Sequence, residues 1–305
     1  MSSLAPRADS DDEAQILNAV DRFLERDVEP VAHDLEHADE WPADIVAKMT
    51  ELGLFGATIS AEYGGLGLSA STYTKIVERV SAVWMSVSGI FNSHLIMAAA
   101  VEKYGTEEQK RKWLPKFAAG ELRGGIALTE PDCGTDLQAI RTRADRDGDH
   151  YVVNGAKTWI SNSIMGHVLA VLVKTNPDAE PRHRGMSLLL IEKGEGFNVS
   201  RKLEKLGYKG IDSGEFTLED CKVPAENLIG GEEGRGLQHI LGGLALGRIN
   251  VAARGVGVAR AALDKSISYT QIRQTFGQPI CQHQAIQIKL AEMATRVEAG
   301  RLLLE

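Results

Sequence analysis

Three short segments and one arginine carry residue types that could hold a planar, charged ligand. The first segment is Ile126-Ala127-Leu128-Thr129-Glu130-Pro131-Asp132-Cys133-Gly134-Thr135-Asp136. A strand-like apolar run meets Thr129-Glu130, then a Pro-Asp turn, then Gly134 and Thr135. Such a stretch can set backbone N–H groups and hydroxyls against a planar polar ring or a phosphate. An ordinary Asx turn between strands would use the same residues. The second segment is Lys157-Thr158-Trp159-Ile160-Ser161-Asn162. Trp159 beside Thr158 and Ser161 could stack on a ring and hydrogen-bond its edge, or Trp159 could be a core residue. The third is Arg273-Gln274-Thr275-Phe276-Gly277-Gln278-Pro279, followed by His283-Gln284. Arginine beside an aromatic and a glutamine could grip a pyrophosphate; a solvated helix end and a Gly-x-Pro turn is the alternative. The single residue is Arg248, which helical periodicity puts on an inward phase between Leu244 and Val251. An inward guanidinium must be paired or hydrogen-bonded. It is either a buried structural pair or an arginine in a substrate or cofactor cavity.

Other motifs fail on context. Gly255-Val256-Gly257 opens like a dinucleotide fingerprint, but it lacks the third glycine and a preceding strand. Its glycines fit close helix packing. The sequence has no GxxxxGK[ST], GxSxG or HExxH pattern. His33-Asp34-Leu35-Glu36-His37 matches the short HxxEH pattern inside an acidic stretch, and it reads as a solvated helix face. No metal is expected. Cys133, Cys221 and Cys281 lie far apart, which excludes a disulfide framework and fits a reducing compartment.

The elements that must position these residues form three blocks. Residues 1–122 read as a helical domain. Ile16, Val20, Phe23, Leu24 and Val28 recur at helical spacing, and Ser69 or Ser71 can cap a helix through Tyr73, Ile76, Val77 and Val80. Thr106 followed by Glu107, Glu108 and Gln109 starts another helix, and Tyr63-Gly64-Gly65-Leu66-Gly67 breaks the pattern. Residues 123–231 read as a β domain. Val168–Val173 and Met186–Ile191 are short apolar runs, and Asp147-Gly148 and Asn154-Gly155 bracket Tyr151-Val152-Val153. This density of turns predicts an antiparallel sheet or small barrel. Residues 232–305 are helical again, with a stripe Leu237, Leu241, Leu244, Val251, Val258 and Ala262, then a second stripe Ile286, Leu290, Met293, Val297 and Leu304. The fold class is α+β. The second stripe runs to the last residues without a stop signal, and the expectation is an incomplete C-terminal bundle.

The chain has 305 residues, with 34 Lys plus Arg against 42 Asp plus Glu and a net charge of −8. That balance argues against a dedicated nucleic-acid binder or a basic membrane-surface protein. The start carries no apolar signal region, and no uninterrupted apolar run approaches the roughly 20 residues of a membrane helix. A soluble cytoplasmic protein, or a matured organellar one, is the default expectation.

The order of blocks, with ALTEPDCGTD, KTWISN and RQTFGQPICQHQAIQ, resembles the acyl-CoA dehydrogenase family. YGTEEQKRKWLPKFAAGE, EKLGYKGIDSGEF, VPAENLIGGEEGRG and AIQIKLAEMA add to the likeness, from about residue 12 to the end. The resemblance implies an N-terminal helical domain, a central β domain and a C-terminal helical bundle, with FAD between the β domain and the helices. It implies that Ile126, Ala127, Leu128, Thr129, Gly134 and Thr135 line the flavin, with Trp159, Ile160 and Ser161 on its other side. Arg273, Phe276 and Gln284 would hold the pyrophosphate and adenosine part, commonly across a subunit interface. Thr135, Ala245 and Arg248 would meet the acyl-CoA. The implied activity is α,β-dehydrogenation of an acyl-CoA to a trans-2-enoyl-CoA within fatty acid β-oxidation and lipid metabolism. Electrons would pass to an electron-transferring flavoprotein, and the enzyme would be a homodimer or homotetramer.

Three positions depart from the family pattern. The base is a late glutamate in most relatives. In isovaleryl- and long-chain-type enzymes a Glu immediately precedes the arginine matching Arg248, and here that position is Gly247. No catalytic base is therefore expected within the chain; it is expected beyond Glu305, in a longer enzyme. Ala245 replaces an Asp common in relatives, and Cys133 takes a small-residue position in the flavin loop. Ile90, Phe91, Leu95, Ile96 and Met97 fall where relatives line the acyl pocket, and their bulk leans towards short or branched acyl groups. Two other readings stay open at this level: a related flavoenzyme of the nitroalkane oxidase or flavin monooxygenase type, and a non-catalytic FAD- or CoA-binding fragment.

Overall fold

The computed structural model describes residues 10–304. Helices α1 (Ser10–Phe23), α2 (Glu29–Ala38), α3 (Ala43–Glu51), α4 (Ala70–Tyr104) and α5 (Glu107–Ala118) precede the sheet. A single π turn, Leu24–Val28, separates α1 from α2. Pro30 has no N–H to give to the carbonyl four residues back, and the wider turn absorbs that missing bond. Thr106 and Gln109 form a reciprocal capping box at the start of α5. Ser69 Oγ accepts from the Thr72 N–H at 3.1 Å ahead of α4. Trp84 breaks α4 with extended backbone (φ −150°, ψ 104°). By length and mean hydropathy α4 could cross a membrane, but most of it is buried in protein as a core helix.

The sheet contains β1 (Gly124–Ala127), β2 (Arg143–Asp147), β3 (His150–Ser161), β4 (Val168–Lys174), β5 (Met186–Glu192), β6 (Phe197–Lys202) and β7 (Ser213–Pro224). Its order is β1-β4-β2-β3-β7-β6, with β5 also on β4. Four pairings are antiparallel, as the turn density predicts, while β1 and the end of β2 run parallel to β4. Parallel neighbours need a crossover. Between β1 and β4 that crossover is the hairpin of β2 and β3. The apolar run of β4 is buried throughout because neighbours cover both of its faces. The remaining elements are α6 (Gly236–Ile272), the two-residue strands β8 (Gln274–Thr275) and β9 (Gln278–Pro279), and α7 (Gln284–Leu302). By packing, the chain divides into two compact units. One comprises 10–33, 69–88 and 248–304, and the other 34–68 and 89–247.

Inside the unit that contains the sheet, buried His94 ties α5 to β1. Its Nε2 lies 3.1 Å from the Phe117 carbonyl, and its Nδ1 accepts from the Gly124 N–H at 3.3 Å. The ring sits edge-on between Phe55 and Phe117. Both nitrogens are used by the neutral imidazole, and burial pulls its pKa down to about 4. The unfolded chain therefore binds a proton that the folded chain refuses. Stability is complete above about pH 6.5 and falls by roughly 1.4 kcal/mol per pH unit between there and about pH 4. Urea titrations across that window should show this slope, and His94→Gln should flatten it. A variant with an unchanged slope would contradict the assignment.

Helix α6 corrects one sequence expectation. The stripe of large apolar residues is not its packed face: Leu241, Val251 and Val258 are exposed, Val251 at 60 %. The buried positions include Ile240, Gly243, Gly247, Asn250, Ala253 and Gly257. The reason is close backbone approach. A Cβ on Gly243 would lie 2.8 Å from the Ile96 carbonyl, and one on Gly257 would lie 2.3 Å from the Glu78 carbonyl. Arg248 is accordingly exposed and not inward, which removes the requirement for a buried partner.

The helical unit has its own buried charge. Glu78 accepts from Arg260 at 3.0 Å and from Arg301 at 2.8 Å, which joins α4, α6 and α7. Asn250 donates to the Tyr73 hydroxyl at 2.9 Å beside it.

Candidate functional site

The richest constellation lies at the C-terminal end of β1. Ile126 and Ala127 end the strand, and the chain continues through Leu128 and Thr129 into a tight turn. Glu130 and Cys133 exchange backbone hydrogen bonds of 2.9 and 3.1 Å, closing the turn over Pro131-Asp132. Gly134 and Thr135 follow, both exposed, and Asp136 caps a 3-10 turn over Leu137–Ala139. The Glu130 carboxylate organises this loop from below. It accepts from the Arg141 N–H (2.6 Å), the Thr142 N–H (3.0 Å), the Thr142 hydroxyl (2.6 Å) and Lys157 Nζ (2.8 Å). Lys157 also donates to the Leu128 carbonyl at 3.0 Å, and its side chain is fully buried. Burial alone would raise the Glu130 carboxyl. The Lys157 ammonium and the hydrogen bonds from Thr142 and Arg141 outweigh it and hold the group below its ordinary value.

Directly beside the loop, β3 presents Trp159. The Thr158 N–H donates to the Thr129 carbonyl at 3.0 Å, so the two segments are stitched together. The register of β3 against β7 slips between Lys157 and Ile160. Trp159 occupies this bulge at φ 58°, a left-handed conformation that costs a bulky side chain. Its neighbours Thr158 and Ile160 are buried, while the indole is 58 % exposed. The bulge turns an aromatic ring outward that a regular strand would not place there, and such strain marks functional positions. The core reading of this tryptophan is excluded. Thr158 Oγ1 donates to Glu215 at 2.7 Å, and Arg201 donates to the other Glu215 oxygen at 2.6 Å, which fixes the strand beneath the ring. Ser161 ends β3. Asn162 follows, donating to the Ile90 and Gly124 carbonyls at 2.8 and 2.7 Å.

The other unit carries a second cluster. Phe276-Gly277 is the two-residue turn between β8 and β9, with φ of 52° and 77°. Two positive φ values define the turn that matches strand twist, but phenylalanine is an unusual first residue there. Its ring is 97 % exposed. His283 braces the hairpin through Thr275 Oγ1 (2.9 Å) and Gln278 (3.3 Å). Arg273 enters the hairpin and Gln284 opens α7, and both are exposed.

The two groups of predicted cofactor residues thus fall in different units. Ile126 to Thr135 and Trp159 to Ser161 adjoin one another in the sheet unit. Ala245 and Arg248 are exposed on α6. Ile90, Phe91, Leu95, Ile96 and Met97 are all buried.

Three family models match, covering the acyl-CoA dehydrogenase N-terminal domain (residues 10–121), middle domain (125–221) and C-terminal domain (234–305). A mitochondrial isovaleryl-CoA dehydrogenase from Pongo abelii is 36 % identical, over 96 % of this chain and 70 % of its own length. The chain belongs to the acyl-CoA dehydrogenase family. Its members are oxidoreductases acting on CH–CH donors. A crystal structure of an acyl-CoA dehydrogenase from Geobacillus kaustophilus superposes with a TM-score of 0.92 at 39 % identity, over 98 % of this chain and 79 % of that one. A glutaryl-CoA dehydrogenase from Mycobacterium smegmatis, solved in complex with FADH2, gives a TM-score of 0.88 at 29 % identity, over 97 % and 76 %.

The residues present in this chain fit a flavin. Trp159 offers an uncovered ring, and neither the N–H nor the hydroxyl of Thr129 has a partner among the described residues. Glu130 and Lys157 stand within the sequence motifs, but the motifs alone assign them no role. The available signal was a charged residue on the inward phase of a strand, two positions before the tryptophan.

Proposed function

We propose that this chain binds FAD on the Leu128–Thr129 and Trp159 segments and serves the α,β-dehydrogenation of an acyl-CoA, with electrons leaving to an electron-transferring flavoprotein. The observation that carries this reading is the outward-turned Trp159 stitched beside an unpaired Thr129 N–H and hydroxyl. A ring stacked on the indole would meet these donors at its edge. Bound FAD supplies the acceptor for the β-hydride.

Removing the α-proton of a thioester needs a carboxylate base and donors for the enolate oxygen. Neither nearby glutamate serves as that base. Glu130 is bound by four donors at the root of the loop, and Glu215 is held by Thr158 and Arg201. The two carboxylates beside the flavin segments are thus committed to structure, and on this reading the chain takes up FAD and acyl-CoA without carrying out proton abstraction. The bulk of the buried Ile90, Phe91 and Ile96 favours a short or branched acyl group.

Gly247 offers the test. A Cβ there would lie 2.7 Å from Ile96 Cδ1, the tip of a side chain that can rotate away. Gly247→Glu places a carboxylate where isovaleryl-type relatives carry one. Under anaerobic conditions, with FAD and butyryl-CoA or isovaleryl-CoA, the variant should bleach the flavin band and yield enoyl-CoA by mass spectrometry. The unaltered chain should do neither. Enoyl-CoA formed at the same rate by both would place a base elsewhere in the chain. Flavin binding without product in either, for any acyl-CoA tried, would remove the dehydrogenase reading.

A further inference from the structure

Lys157 has no contact with the open face of the flavin segments, yet it bonds the residue at their centre. Its ammonium is buried between two acceptors, the Glu130 carboxylate at 2.8 Å and the Leu128 carbonyl at 3.0 Å. The second acceptor has a geometric consequence. The Leu128–Thr129 peptide is trans, because the only cis bond among the described residues is Glu180–Pro181. In a trans peptide the carbonyl and the following N–H point in opposite directions within one plane. Holding the Leu128 oxygen inward on Lys157 therefore turns the Thr129 N–H outward. One residue on, the Thr129 carbonyl is held by the Thr158 N–H at 3.0 Å. The Thr129 donor is thus fixed from both sides, unpaired, beside the exposed Trp159 ring.

We infer that Lys157 is a positioning residue for the cofactor: by anchoring the Leu128 carbonyl it aims the Thr129 N–H at an acceptor atom on the edge of the flavin ring. The inference rests on the flavin reading above and adds to it the residue that pre-organises the donor. Glu130 has the separate task of making a buried ammonium tolerable. Without it the charge would be pushed off by burial, and the hold on Leu128 would weaken from a charge-assisted bond to an ordinary one.

The two tasks can be separated. Glu130→Gln keeps Lys157 and an amide oxygen for the Thr142 donors, while its amide nitrogen takes the place of the oxygen that accepts from the Arg141 N–H. Lys157→Met combined with Glu130→Gln removes both charges while preserving volume, an exchange that buried ion pairs often tolerate. Thermal unfolding identifies folded variants. FAD affinity is then read by quenching of flavin fluorescence, and the electrostatic contact by the position of the visible flavin band. Glu130→Gln, in which Lys157 still donates to the Leu128 carbonyl, should lose clearly less FAD affinity than the double variant. The double variant should unfold at a similar temperature but bind FAD at least tenfold more weakly, with its band displaced towards that of free flavin. A folded double variant with unchanged affinity and band would overturn the inference and leave the flavin reading intact. Equal losses in both variants would overturn it too, by assigning the effect to the charge pair and not to the Leu128 anchor. An unaltered chain that takes up no FAD would remove the flavin reading, and this inference with it.

Discussion

Glu130→Ala destabilises the sheet unit by about 3–5 kcal/mol, the cost of leaving a buried charge without its partner. The substitution strands Lys157, whose side chain has no exposure to water, and deprives the Arg141 and Thr142 donors of their acceptor. Because the ordered Pro131–Asp136 turn hangs from these bonds, its protection against hydrogen exchange should fall with the midpoint of urea unfolding. Acid behaviour gives an independent check. The Glu130 carboxyl titrates below its ordinary value in the folded chain. Its stabilisation is therefore full above the unfolded value of about 4.3 and is lost as pH falls through the folded one. The unaltered chain should show this loss below about pH 4.3, separate from the His94 slope at higher pH, and the variant should not. A loss under 1 kcal/mol would show that the pair is more solvated than its burial indicates.

Trp159→Gly moves two quantities in opposite directions. The φ of 58° costs tryptophan about 1–2 kcal/mol of backbone strain that glycine does not incur. The indole is 58 % exposed, so its removal forfeits little packing. Stability should therefore hold or rise by up to about 1 kcal/mol, after the added freedom of glycine in the unfolded chain is set against the relieved strain. FAD affinity should meanwhile fall. A lost aromatic stacking partner is worth about 1–3 kcal/mol, or roughly 5- to 150-fold in Kd. Trp159→Phe should recover part of the affinity. A variant that loses stability and keeps its affinity would mean that the ring packs against protein and does not serve as a platform.

The secondary structure was legible where local chemistry decides it. The Thr106–Gln109 capping box, the Ser69 cap, the Asp147-Gly148 turn and the apolar runs of β4 and β5 all became the expected elements, whereas Asn154-Gly155, read as a turn, lies inside β3 at a bulge against β7. The α+β class followed from their order. The packed face of α6 was not legible, because a stripe of large apolar residues outweighs glycines on a helical wheel. The chain instead buries Gly243 and Gly257, where backbone approach leaves no room for a Cβ, and so Arg248 faces outward. Within the flavin segments the residue types were visible, but two determinants were not. Nothing in KTWISN announces a bulge that turns Trp159 outward at positive φ. The Glu130–Lys157 pair spans 27 residues and depends on β1 and β3 meeting through Thr129 and Thr158. Two-residue turns usually announce themselves through Asn or Gly, yet Phe276 takes a left-handed position with its ring exposed, a placement visible only in the backbone angles.

The most direct test of the account is an anaerobic visible titration of the 305-residue chain with FAD, followed by butyryl-CoA. Expected are saturable uptake of one flavin per chain, quenched indole emission from Trp159, and a displaced flavin band that shifts again, without bleaching, when the thioester is added. A flavin spectrum that stays that of free FAD at every protein concentration, with tryptophan emission unchanged, would contradict it.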